Sequence, residues 1–179
     1  MARLGEICHP DGDKIRKGLL NWRNSHMDAF DLKLLEIMQQ DCTLSHAELG
    51  RQASLSASAV RRRLGGMRSS GVIASEVAIL GNVAAAGITI LTSVCFREES
   101  VTAYQAFRDQ MRSDPHVLQC YSVAGQYDFM MVVAAPSLAA YETWGEAALM
   151  SNPAIRRYDS YVTWSTVKFA THRPVFATS

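Results

Sequence analysis

Two short stretches carry side chains whose type and spacing can do chemistry. The first, "LSASAVRRRLGGM" over 55–67, sets Arg61, Arg62 and Arg63 in a row and follows them with Gly65 and Gly66. Arg68 comes next, and Ser56 and Ser58 lie just upstream. Guanidinium groups pair with phosphate oxygens and with the O6/N7 edge of guanine, so this is chemistry for double-stranded DNA. The second, "AGQYD" over 124–128, offers a glycine turn, a phenol and a carboxylate. Asp128 can accept from an ammonium group, and the backbone N–H groups around Gly125 and Gln126 can donate to a carboxylate. Ala124, Gly125, Gln126, Tyr127 and Asp128 are therefore the candidate small-molecule site. An ordinary turn with a capping Asp is the plainer reading of the same residues.

Little else rises to a site. Cys8, His9 and His26 fit no standard metal-ligand spacing, and the four cysteines are scattered as reduced thiols. There is no phosphate-binding glycine loop and no nucleophile elbow, so neither a catalytic residue nor a cofactor or metal is expected. No apolar run approaches the ~18 residues that span a bilayer. The first 26 residues lack a signal-peptide core. Both point to a cytoplasmic protein without a membrane partner. The chain of 179 residues has a net charge of +1, but the charge is uneven. Residues 1–75 hold 11 basic against 8 acidic side chains, and residues 76–179 hold 7 against 9. Five arginines and no acid fall within 51–73, a local field suited to phosphates.

The elements around the arginines are short helices. Asp28 is a good N-cap with Asp31 in the first turn, and Phe30, Leu34, Ile37 and Met38 stripe a helix to about Gln40. Ser45 and Glu48 form a capping box for a helix to about Ala53. Ser56 caps a third helix that stops at Gly71. On that helix Val60, Leu64 and Met67 share the core face, while Ser58, Arg62 and Gly65 lie opposite. Arg61, Arg63 and Arg68 flank this outer face. Small Ser58, Ala59, Gly65 and Gly66 let the helix enter a groove, Arg61 and Arg62 reach phosphate or guanine, and Arg63 either holds phosphate or braces the domain. A solvated basic face is the alternative.

Downstream, an expected hinge strand (72–80) and the loop "GNVAAAG" lead to even-spaced Ile88, Ile90, Val94 and Phe96. A helix with Val101, Tyr104, Phe107 and Met111 follows. Strands are expected at 117–125 and at 128–135, the latter buried on both faces and joined to the former between two central strands. A helix carrying Leu138, Tyr141, Ala148 and Leu149 ends at Asn152-Pro153. A final strand is expected over 156–169. Trp22, Trp144 and Trp164 read as packing residues. The order βαββαβ is a ferredoxin-like sandwich, and the fold class is α+β.

Met27 to Ile73 resembles the winged helix-turn-helix of the Lrp/AsnC (feast/famine) transcription regulators, and the resemblance continues through "GQYDFMMVV" and "NPAIRRYDSYVTWSTVK" to Lys168. Ser54 stands where the family often has a turn glycine, Gly65-Gly66 where it has a basic or polar pair, and Gln126 where an acid is common. The resemblance implies DNA contacts from Ser45, Ser56, Ser58, Arg61, Arg62, Arg63 and Arg68. It implies an amino-acid pocket at the turn 124–128, and a homodimer that extends to a tetramer or octamer. The implied domains are an extension (1–26), a winged helix-turn-helix (27–75), a hinge (76–87), an effector and assembly domain (88–170) and a tail (171–179). Residues 13–23 read as a short amphipathic helix, docked or acting as an arm whose Arg16, Lys17 and Arg23 touch DNA; translation from Met27 is the third option. The expected function is a DNA-binding regulator modulated by an amino acid or related metabolite. Two alternatives share the architecture: a sirohaem-decarboxylase-like enzyme subunit, and an effector-independent nucleoid-architectural protein.

Overall fold

The computed structural model describes residues 27–80 and 87–174; the expectations for residues 1–26 lie outside them. The chain forms two units, 1–78 with 170–179, and 79–169.

Three helices build the first unit: α1 (Ala29–Gln40), α2 (His46–Ala53) and α3 (Ala57–Ser69). Each starts at the cap that its sequence supplies. Asp28 accepts from the N–H groups of Phe30 and Asp31, Ser45 from Glu48 N–H, and Ser56 from Ala59 N–H. These bonds satisfy N-terminal donors that no intrahelical carbonyl can reach. The turn between α2 and α3 is tight. Ser54 takes a left-handed conformation with φ of 57°, and a Cβ on Gly50 would collide with the Leu55 carbonyl oxygen. Leu34, Ile37, Leu49, Ala53, Val60, Leu64 and Met67 form the core. Gly71, at φ of 78°, ends the third helix. The Gln39 side-chain amide exchanges two hydrogen bonds with the Arg173 backbone, at 3.0 and 2.6 Å.

The second unit is a four-stranded antiparallel sheet with helices on one face. Its elements are β1 (Ile88–Phe96), α4 (Val101–Ser113), β2 (Val117–Ser122), β3 (Phe129–Ala135), α5 (Leu138–Gly145) and β4 (Ile155–Val162). Strand order is β2-β3-β1-β4, which is the ferredoxin-like arrangement. Ile90, Val94, Phe129, Met131 and Val133 face the helices and pack on Phe107, Met111, Tyr141 and Leu149. The register places Leu91 beside Val132 and Tyr161, and Met130 beside Ser93 and Tyr121, on the opposite face.

Several expectations need correction. Residues 72–80 form no strand, because among the described residues no strand pairs with their backbone. The last strand stops at Val162. Thr163 closes on Thr89 C=O at 3.0 Å, and no ladder partner follows. Within the single chain β3 is buried on one face only, with Met130 43% exposed. Its neighbour β2 is an edge strand, so the turn 123–128 joins an edge to a centre. The second helix changes to a π-turn at Glu146–Met150. Trp144 is buried as expected, but Trp164 is fully exposed, as are Val101 and Leu138 in large part.

Candidate nucleic-acid interface and effector turn

The five arginines of 51–73 separate by partner. Arg63 Nη1 lies 2.8 Å from both Asp28 Oδ2 and Asp31 Oδ1, and its side chain is only 23% exposed. Its guanidinium also sits over the Phe30 ring. The hydrogen bond that Arg63 donates to Asp31, opposed by burial and reinforced by Asp28, holds the Arg63 pKa above its ordinary value. The caps of α1 and the middle of α3 are thus tied together. Of the two roles weighed for Arg63, these ion pairs support bracing, and the charge that a phosphate contact would use is already paired. The cause is that the N-cap carboxylate and the first-turn carboxylate of α1 both meet the inner flank of α3. Arg68 donates from Nε (3.0 Å) and Nη2 (2.7 Å) to Glu76 Oε1, so its charge is already matched. Arg51 sits 3.7 Å from Glu48.

Arg61 and Arg62 are exposed and, among the described residues, face no carboxylate. Around Arg62 the surface is small. Ser58, Gly65, Gly66 and Ser69 are all exposed, and a Cβ placed on Gly65 or Gly66 would meet nothing within 4 Å. Ser45 and Ser56 use their hydroxyls as caps, and Ser58 Oγ lies 3.1 Å from Ser56 Oγ. These three serines lie at the N-terminal ends of α2 and α3, where unpaired N–H groups favour anions.

The turn that carries Ala124 to Asp128 is closed by Val123 N–H donating to Asp128 C=O at 3.1 Å. Ala124, Gly125 and Gln126 are exposed. The Gln126 carbonyl accepts from Cys95 Sγ at 3.3 Å. The Tyr127 hydroxyl near Tyr161 raises the Tyr161 pKa. Asp128 is not a vacant acceptor. Oδ2 accepts from Phe96 N–H at 2.7 Å and Oδ1 from Tyr104 Oη at 2.5 Å. Burial, then the Asp128 bond, pushes the Tyr104 phenol well above its usual pKa. Asp128 therefore fastens the irregular end of β1, where the register shifts between Cys95 and Phe96. Tyr104 went unnoticed in the sequence because it reads there as one more residue of a helical stripe. Arg97 and Arg156, at the same end of the sheet, gave no signal either.

Similarity to known proteins agrees with both halves. Residues 27–68 match the AsnC-type helix-turn-helix domain, and residues 89–172 match the Lrp/AsnC ligand binding domain. A glutamate uptake regulatory protein of Zymomonas mobilis is 31% identical over 117 residues, covering 65% of this chain and 71% of that one. The crystal structure of an AsnC family transcriptional regulator from Agrobacterium tumefaciens superposes with a TM-score of 0.76 at 30% identity, over 83% of this chain and 97% of that one. A Neisseria meningitidis regulator crystallised with L-Met shares the fold, with a TM-score of 0.76 at 24% identity over 83% and 96% of the two chains. Two fold units in this order, a capped helix-turn-helix and then a βαββαβ sheet, together with these matches, place the chain in the Lrp/AsnC family of transcriptional regulators.

Proposed function

We propose that this chain reads a specific DNA sequence through α3 and that an amino acid or related metabolite alters its DNA binding or assembly. It acts as a regulator rather than an enzyme, in the cytoplasm. The observation that carries the reading is the sorting of the arginines. Arg51, Arg63 and Arg68 are matched by acids, while Arg61 and Arg62 stand on the exposed face of the last helix of a helix-turn-helix. In that arrangement the last helix lies in the major groove. Arg62 faces base edges, Arg61 holds phosphate, and Ser45, Ser56 and Ser58 approach the backbone at the helix N-termini.

The open face of the sheet supports a homodimer. Leu91, Met130, Tyr121 and Tyr161 are 42, 43, 49 and 55% exposed there, Leu91 beside Tyr161 in one row and Met130 beside Tyr121 in another. A contiguous apolar surface on that scale is a site for association, and a second copy brings a second reader helix. The turn 124–128 lies at the end of this sheet. An effector bound by its exposed N–H groups shifts DNA binding to the extent that it prefers one subunit arrangement. The Neisseria regulator's L-Met and the Zymomonas regulator's glutamate-uptake role are consistent with a neutral or acidic amino acid.

The deciding experiment is DNA binding to the promoter of its own and adjacent genes, with and without each of the twenty amino acids. Sequence-specific binding that one amino acid shifts is the expected result. Specific binding that no amino acid shifts favours the architectural reading, and an absence of DNA binding overturns the proposal.

A further inference from the structure

Arg97, Arg156 and Arg157 line a cavity of about 410 Å³ together with Leu149, Met150 and Ile155. The sheet register brings them together. Phe96 pairs with Ile155, so Arg97 leaves β1 where Arg156 and Arg157 enter β4. Arg97 N–H donates to Ala154 C=O at 2.9 Å, and its Nε donates to Pro153 C=O at 3.0 Å. The second bond orients the guanidinium and leaves its charge unmatched, because a carbonyl carries no net charge. Arg157 is different: Nε and Nη2 each lie 2.9 Å from Asp159 Oδ1. Arg156 has no carboxylate partner among the described residues. The lining contains no acidic side chain. On its apolar side stand Met150, 65% exposed, and the largely buried Ile155.

We propose that this cavity binds a small dicarboxylate with a short aliphatic body. Two unmatched guanidinium charges call for two negative charges, and Arg pairs with carboxylate through parallel N–H donors. The exposed Met150 offers an apolar contact for methylene groups, and the volume is that of a small-metabolite site. None of the lining residues belongs to the turn 124–128, so the site is additional to the amino-acid response proposed there.

Titrate the full chain with glutarate by calorimetry, and in parallel with its neutral diamide and with inorganic phosphate. The expected result is glutarate binding that the diamide lacks and that phosphate does not equal. Arg156→Gln weakens it at least tenfold, Arg156→Lys weakens it less, and both variants keep the parental melting curve. Arg97→Gln gives a second, independent loss. Absence of glutarate binding, equal binding of the diamide, or an unchanged affinity in both glutamine variants overturns the proposal. Equal affinity for phosphate also overturns it, in favour of an unselective anion surface. If Arg156→Gln leaves glutarate unaffected and weakens binding to random-sequence duplex DNA, the cavity belongs to nucleic acid instead.

Discussion

Replacing Gly65 and Gly66 together with alanine separates folding from DNA reading. Both glycines lie inside α3, where glycine is less favourable than alanine by about 0.8–1.0 kcal/mol per residue. Neither has a positive φ, and an added Cβ meets nothing within 4 Å at either position. No strain or clash therefore offsets the gain, and alanine also restricts the unfolded chain. Gly66 lies near the helix end, where its carbonyl accepts from Ser70 N–H, so its share is the smaller. The pair should stabilise the first unit by roughly 1.5–2 kcal/mol. For a small domain that raises the melting temperature by roughly 6–16 °C.

DNA binding should move the other way. The two methyl groups sit beside Arg62 on the face assigned to the groove, and holding the helix away lengthens every contact Arg62 makes there. We expect affinity for the cognate site to fall about tenfold or more, which is ~1.4 kcal/mol. Thermal unfolding and DNA titration of the same preparation read both effects. Opposite signs are required, since a purely structural effect would raise the folded fraction and the binding together. A double variant that is more stable and binds DNA as tightly as the parent would show that these glycines leave the groove contact untouched.

Further predictions use the same sorting of charges. Arg62→Ala should cost ~1–3 kcal/mol on the cognate site and relax base preference, with stability unchanged; binding at several salt concentrations to specific and scrambled duplexes checks this. Arg63→Ala leaves the Asp31 carboxylate, 16% exposed, without its guanidinium and should destabilise the first unit by about 1–3 kcal/mol. Its DNA affinity should fall only with the folded fraction, and denaturant unfolding provides the comparison. At Asp114 burial pushes the pKa up, but the Trp144 indole N–H donating at 2.7 Å and the His116 bonds hold the carboxyl below its ordinary value. A lowered carboxylate pKa stabilises above the unfolded value of 3.8 and loses that contribution as pH falls through the folded one. Trp144→Phe should accordingly lose more stability at pH 6 than at pH 2–3, as acid-dependent unfolding followed by circular dichroism would show.

The residues of 27–73 announced their helices because the signals are local. A capping oxygen reaches an N–H two or three residues on, so Asp28, Ser45 with Glu48, and Ser56 declare helix starts within a single turn of chain. The core stripe of Val60, Leu64 and Met67 is equally local, and the βαββαβ order follows from periodicity alternating between two and 3.6 residues. What periodicity cannot report is which charge meets which. Arg61, Arg62, Arg63 and Arg68 look alike in the sequence. The three-dimensional packing of α1 against α3 gives Arg63 to Asp28 and Asp31, and the path of the chain after Gly71 gives Arg68 to Glu76. Asp128 is the same case. Its turn and its carboxylate were legible, but the claim of Tyr104 Oη and Phe96 N–H on both oxygens depends on partners 24 and 32 residues away. Strand limits were decided by the sheet as well, since among the described residues neither the alternating stretch after Val162 nor residues 72–80 find a ladder partner. Local sequence thus determined the elements, their caps and their family resemblance. Tertiary structure decided which of the charged groups are paired within the fold and which, among the described residues, are not, because long side chains choose partners by proximity in space and not by spacing in the chain.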